Sequence, residues 1–334
     1  MRRPARHFLF VLCLAVISCG RQPEQAAGET APVARRLAAQ LDADLRRVRE
    51  EAGRLAATVA KLYENKEEIL PRTDRSKYEF SKSGAFHKPV NDGTGGLWIS
   101  GAVPITEDVR EAAYLTDPLD KDLIRIVREF PEVNQSYYND RNSMNRIYPW
   151  FDAISQYPPK MNIPDFNFYY LADEKHNPSR GAVWVDEPYV DPAGRGWVVS
   201  AIAPVYQGEQ LLGVAGLNVA IDTIVDRYFK DSGIPLVVLA RNGVVVAGTE
   251  NAIELLGLPP LKDHKYLETV KQDTFKPDEY NVAKSQMPGL RDMAAAILEQ
   301  GAGSVAVRFP GRTYKAVAVP VPEAGWKVVE FVAP

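Results

Sequence analysis

One stretch, WVVSAIAPVYQGEQLLGVAGLNVAI at residues 197–221, constrains the fold more than any other. Residues 197–206 and 210–221 are β-rich and flank Gln207-Gly208-Glu209, which predicts two antiparallel strands joined at a tight tip. Ala201, Ala203, Gly213, Ala215 and Gly216 are small enough to let another backbone, a helix or a ligand lie close to this sheet. The same grammar returns near the C-terminus, with strands at 304–309, 313–320 and 326–332 and a tip at Pro310-Gly311-Arg312. Two sheet-bearing modules are implied.

The second module has its own opening hairpin, because 235–240 and 244–248 flank Arg241-Asn242-Gly243, and Asn-Gly is a strong hairpin signal. Residues 267–270 and 290–300 read as helices between its strands. In the first module, 98–103 reads as an early strand, 119–130 as a helix, and NQSYYNDRNS at 134–143 as a strand followed by a turn. Tyr137 and Tyr138 then point to opposite faces, so only one can line a pocket. A short helix at 223–229 links the modules. A strand pair, helices and three antiparallel strands form a PAS-like layout, and the fold class is α+β with antiparallel sheets.

Ahead of both modules, Leu41, Leu45, Val48, Ala52, Leu55, Val59 and Leu62 recur at spacings of three and four, with Arg, Glu and Asp on the remaining faces. This predicts a long amphipathic helix over 33–70. The stripe covers only three to four heptads, which favours packing against the chain's own sheets over a coiled-coil seam between two chains, while dimerisation stays open.

In NRIYPWFD, Arg146 offers a forked guanidinium suited to a ligand carboxylate, and Tyr148, Trp150 and Phe151 offer flat walls. An arginine held in an ion pair and aromatics that are simply core are the competing readings. The segment WVDEPYVDPAGRGWVVSAIAPVYQGEQLLGVAGLNVAI resembles the signature strands of the double Cache (dCache) family of extracytoplasmic sensor domains. That resemblance implies an order of helix, membrane-distal module (71–230) and membrane-proximal module (231–334), with a small molecule cradled in the distal one. Amino-acid-sensing members carry an Arg with a closely following Trp-Tyr pair, then Tyr-x-Asp, then a last-strand Asp. Here Arg146, Trp150 and Phe151 come at longer spacing, followed by Tyr189 and Asp191, with Asn218 where the last acid would fall. Asn218 cannot supply the charge that pairs an α-ammonium, so the resemblance implies a neutral or anionic ligand rather than a free amino acid, with Asp191 compensating in part.

The first residues read as an export leader. Arg2, Arg3 and Arg6 precede an apolar run at 8–17 that is too short to span a bilayer. Val16-Ile17-Ser18-Cys19 resembles a bacterial lipobox, which implies a signal peptide at 1–18, lipidation of Cys19 and a membrane anchor; Gly20 in place of Asp implies the outer membrane over the inner. Residues 19–32 are polar, contain Pro and Gly, and read as a flexible tether. The other cysteine, Cys13, falls inside the leader, so no internal disulfide is expected.

A net charge of −3 spread over 334 residues offers no basic face for nucleic acid. His87, His176 and His264 lie far apart, without zinc-ligand spacing. Asp173, Glu174 and His176 fit a polar loop, and Ser200 sits in a strand instead of a nucleophile elbow. These features predict a protein that is not an enzyme and needs no cofactor or metal. The expectation is a lipid-anchored sensor or solute-binding protein in the periplasm that takes a small polar molecule and signals through a partner receptor or envelope protein. A ligand-free envelope scaffold is the alternative.

Overall fold

Helix α1, Pro32–Glu64, exists because its apolar stripe has a continuous surface to cover. The computed structural model describes residues 31–230, 232–259 and 277–333. The leader, Cys19, residues 20–30 of the tether and the expected helix at 267–270 lie outside the described residues. Along α1, Leu37, Leu41, Leu45, Val48, Ala52, Leu55 and Val59 are buried, in one core with residues of both sheets. The stripe thus packs within the chain. It ends earlier than expected: Leu62 is only partly buried, Asn65 caps the helix with its amide on Lys61 O, and a separate turn, Lys66–Ile69, precedes Pro71. At the other end, α1 has no side-chain cap of its own. Glu330, 296 residues away, accepts the Ala34 N–H at 3.0 Å and docks the helix start onto the C-terminal sheet.

The first sheet has eight strands: β1 (Glu79–Phe80), β2 (Phe86–His87), β3 (Gly96–Ile99), β4 (Val133–Asp140), β5 (Met144–Tyr148), β6 (Val183–Val190), β7 (Trp197–Gln207) and β8 (Gln210–Ala220). Their order is β1-β2-β3-β5-β4-β8-β7-β6. The second has β9 (Leu236–Leu239), β10 (Val245–Gly248), β11 (Ser304–Phe309), β12 (Arg312–Val321) and β13 (Trp326–Val332), in the order β10-β9-β13-β12-β11. Numbered within each unit, β4 to β8 and β9 to β13 follow the same order, 2-1-5-4-3, which is the PAS-like arrangement. The expected early strand at 98–103 is shorter and outside this core. It is β3, which pairs with β5 and, with β1 and β2, extends the sheet beyond it.

Each sheet is covered on both faces. On β7 and β8, Val199, Ala201, Ala203, Ala215 and Leu217 share the core of α1; Ile202 and Val214 belong to a separate core on the opposite face. The second sheet is covered behind by Glu250–Leu255 and Pro288–Ala294. The small residues of the opening hairpin now have their reason. A side chain at Gly216 would sit 2.2 Å from the Tyr137 ring on one face, and one at Gly213 would sit 2.6 Å from the Tyr138 hydroxyl on the other. The alanines admit the helix, and the glycines admit two phenol rings from the neighbouring strand.

Gly216→Ala is expected to lower stability by about 1–3 kcal/mol, because the added methyl forces the Tyr137 ring off its seat. Denaturant unfolding checks this, and an unchanged midpoint would mean that the ring is not held there.

Candidate functional site

A small cavity lies on the face of the first sheet opposite α1. Its floor is formed by Gln135, Tyr137 and Asn139 of β4, Asn145 and Ile147 of β5, and Asn218 of β8; Tyr189 and Asp191 enter from β6 and the turn after it. Its roof is the segment between β5 and β6, which contributes Tyr157, Met161, Ile163 and Phe168. Phe168 stands on the short helix Asn167–Tyr170, stacks on Tyr189 at 5.6 Å and meets the Tyr137 ring edge-on at 6.2 Å. The space enclosed is about 20 Å³, room for about one water molecule.

The lining is polar and ordered by its own hydrogen bonds. The Tyr189 hydroxyl pairs with Ser200 Oγ at 2.6 Å, Ser200 donates to Asn218 Oδ1 at 2.5 Å, and Asn218 Nδ2 donates to Gln135 Oε1 at 2.8 Å. On the other side, Asn145 donates to Asn139 Oδ1 at 2.7 Å and accepts from the Tyr157 hydroxyl at 3.3 Å. Gln135 Nε2 and the Tyr137 hydroxyl close no hydrogen bond within 3.5 Å, although Asp191 and the Tyr189–Ser200 pair stand nearby. Gln135 interacts with the Asp191 carboxylate and the Tyr137 hydroxyl with Ser200 and Tyr189, in looser geometry than the bonds above. Asp191 is 4% exposed and is the only carboxylate, lysine or arginine among the lining residues. Burial pushes its carboxyl up to about 6, against the opposing N–H donors of Ala193 and Arg195 at 3.1 and 3.2 Å.

Of the residues nominated from sequence, Tyr189, Asp191 and Asn218 meet at this cavity. Arg146 does not. It alternates with Asn145 and Ile147 on β5 and therefore points through the sheet to the α1 side, where it is fully buried. There Nη1 donates to Asp120 at 2.7 Å, Nε to Thr116 Oγ1 at 2.9 Å, and Nη2 to the Tyr78 hydroxyl at 2.9 Å and Ala113 O at 2.7 Å. The ligand clamp expected of Arg146 is thus corrected to an internal ion pair that ties β5 to the helices beside it. Tyr148 shares that face and packs against the α1 core. Trp150 donates to Lys88 O at 3.4 Å, away from the cavity. Phe151 packs on the Tyr157 ring at 5.1 Å, one layer behind the lining.

The residues the sequence reading passed over are Gln135, Asn145, Tyr157 and Phe168. Gln135 could have been found from the strand period, two residues before Tyr137 on the same face. The aromatic cluster in PDFNFYYLAD carried the signal for Phe168. Asp173, Glu174 and His176 lie in the roof's far loop, where Asp173 holds His176 Nδ1 at 2.7 Å and Arg180 pairs with Glu174. Among the described residues no group of three His, Cys, Asp or Glu side chains could hold a metal ion.

Comparison with known proteins places the fold. No family model matches the sequence, and no curated protein matches it at a significant level. Among solved structures, the chain is similar to the extracellular domain of the histidine kinase designated mmHK1S-Z3, at 13% identity and TM-score 0.53 over 90% of this chain and 92% of that one. It is also similar to the corresponding domain of mmHK1S-Z2, at 15% identity and TM-score 0.50 over 90% and 94%. A lower TM-score, 0.46 at 16% identity over 90% of each chain, relates it to the ligand-binding domain of the Pseudomonas aeruginosa PAO1 amino-acid chemoreceptor PctB in complex with L-Arg. The chain has the double Cache fold of extracellular sensor domains: a long N-terminal helix and two PAS-like sheets.

Two outcomes follow from this geometry. Arg146→Ala should cost about 3–5 kcal/mol, because Asp120 loses its closest cation and keeps only Lys88 at 3.9 Å, while the buried acceptors of the guanidinium lose their donor; a loss below 1 kcal/mol by denaturant unfolding would mean that the pair is not buried. Asp191, about 6 when folded and near 3.9 when unfolded, binds more protons in the native state between those values. Its contribution to stability is therefore greatest below about pH 4 and is lost as pH rises through about 6. Asp191→Asn should remove this share, on the order of 2–3 kcal/mol, so that the variant gains less stability than the parent when pH is lowered from 7 to 5. Equal gains would contradict the burial of an ionisable Asp191.

Proposed function

We propose that this chain is an extracytoplasmic sensor or solute-binding module that holds a small, polar, neutral or cationic molecule in the cavity at Asp191. The observation that carries the reading is the lining itself: a buried carboxylate and a ring of phenols and amides under an aromatic roof. With Arg146 behind the sheet, no guanidinium or ammonium lines the cavity, so a neutral or positively charged guest fits better than the anion that remained open from sequence. A guest larger than water needs the roof to move. Phe168 and Tyr157 are the side chains that would give way, since they come from the segment between strands and not from the sheet.

The reading is one of binding, not catalysis, because the lining pairs no nucleophile with a base. The likeness in fold to extracellular domains of histidine kinases supports a place outside the cytoplasm and transfer of the signal to another protein. Attachment through lipidated Cys19, with the outer membrane favoured, is the part of the proposal supported by the leader sequence alone. Among the described residues no helix is long and apolar enough to cross a membrane.

A thermal-shift screen of amines, amino acids, amides, carboxylates and nucleobases tests the cavity. A ligand at a hundredfold excess over its dissociation constant adds about 2.7 kcal/mol. The expected result is a shift with an amine- or amide-bearing compound that disappears in Asp191→Asn and shrinks in Tyr189→Phe. If no compound gives a shift that depends on Asp191, the cavity is not a binding site and the scaffold reading stands in its place.

A further inference from the structure

A second concavity lies where the two modules meet, on the flank of α1. It has a volume of about 560 Å³, well above that of the cavity at Asp191, and within the range of sites for small organic ligands. Three parts of the chain build it: Arg46 and Arg49 from α1, Trp184 and Asp186 from the edge strand β6, and Arg241 with Glu323 from the two hairpin ends of the second sheet. The modules are fastened at its margin, where the Trp326 indole donates to Asp186 O at 2.9 Å.

Its charges are unevenly spent. Arg46 pairs with Asp42 at 2.5 Å and lies 3.6 Å from Glu323, and Arg49 pairs with Glu323 through Nε, so both α1 guanidiniums are committed. Arg241 is different. The carboxylate nearest to it, on Asp186, is 3.7 Å away, beyond hydrogen-bond distance, and the side chain is 70% exposed. The guanidinium rests against the β12–β13 turn, since a side-chain carbon added at Gly325 would overlap its Nε and Nη2. An arginine in loose ion-pair contact with one carboxylate, in a groove bounded by half-buried Trp184, offers a fork for two oxygens beside an apolar wall. With Asp42 counted beside Arg46, three guanidiniums meet three carboxylates, and Arg241 holds the loosest of these pairs.

We infer that this inter-module groove is a second ligand site, independent of the cavity at Asp191, and that it takes a carboxylate carried on a flat apolar ring, the carboxylate on Arg241 and the ring against Trp184. The two sites have opposite charge preference, and each can fail without the other. A ligand here touches α1, the edge of the first sheet and the turns of the second at once, and so would stabilise the observed junction.

The test is calorimetric titration of the full chain with benzoate at low ionic strength. Wild type is expected to bind at one saturable site. Arg241→Gln should weaken the affinity at least tenfold, and Arg241→Lys, which keeps the charge but loses the fork, should weaken it as well. Asp191→Asn should leave the affinity within twofold of wild type. Because Arg241 is exposed, unchanged thermal unfolding of Arg241→Gln without benzoate separates lost binding from lost folding. Absence of saturable binding in wild type, equal affinity in Arg241→Gln, or loss of binding in Asp191→Asn would each overturn the inference.

Discussion

The structure depends on one helix burying one stripe against two sheets. The stripe of α1 belongs to a core that also contains Val199, Ala201 and Leu217 of the first sheet and Val238, Val317 and Val328 of the second. At about 1.5 Å per residue the 33 residues of α1 extend roughly 50 Å, long enough to serve both. Neither sheet can be separated from the helix without exposing that shared apolar surface. Polar contacts fix the register of this packing. Glu330 receives the start of the helix, and Asp44 accepts from the Tyr228 hydroxyl at 2.7 Å in the link between the sheets.

Because α1 occupies one face of the first sheet, the opposite face is left to carry a site. The alternation of strand residues then assigns every side chain to one of the two. Tyr138 goes to the helix side and meets the Tyr63 hydroxyl of α1 at 3.2 Å; Tyr137, its neighbour, goes to the cavity. Arg146 and Asn145 are divided in the same way. Charge is thereby segregated: the guanidinium is neutralised by Asp120 on the buried structural side, and a carboxylate with a raised protonation point stands on the other. That segregation sets the expected chemistry of a guest.

Much of the architecture could be read from the chain, and the reasons differ by element. Strong periodicity identified α1, and turn residues between apolar runs identified the paired strands β7–β8 and β11–β12. The PAS-like order was legible from turn residues and strand spacing. Of the residues nominated for the site, Asn218 sits on β8, Tyr189 on β6 and Asp191 in the turn after it, and these three line the cavity. Arg146 misled because a motif gives spacing but not face, and a shift of one residue along β5 puts a side chain on the other side of the sheet. Phe168 and Tyr157 were missed because the roof is irregular: its residues are placed by aromatic packing against the sheet, which leaves no period in the sequence.

The proposed division of the sheet into a structural face and a binding face is tested most directly by comparing two conservative variants in one titration. The compound giving the largest Asp191-dependent thermal shift would be titrated calorimetrically into Arg146→Lys and Asp191→Asn. Arg146→Lys keeps the charge but loses the fork, so it should bind within threefold of wild type, whereas Asp191→Asn should bind at least tenfold more weakly. The reverse order would place the arginine on the ligand and contradict the division.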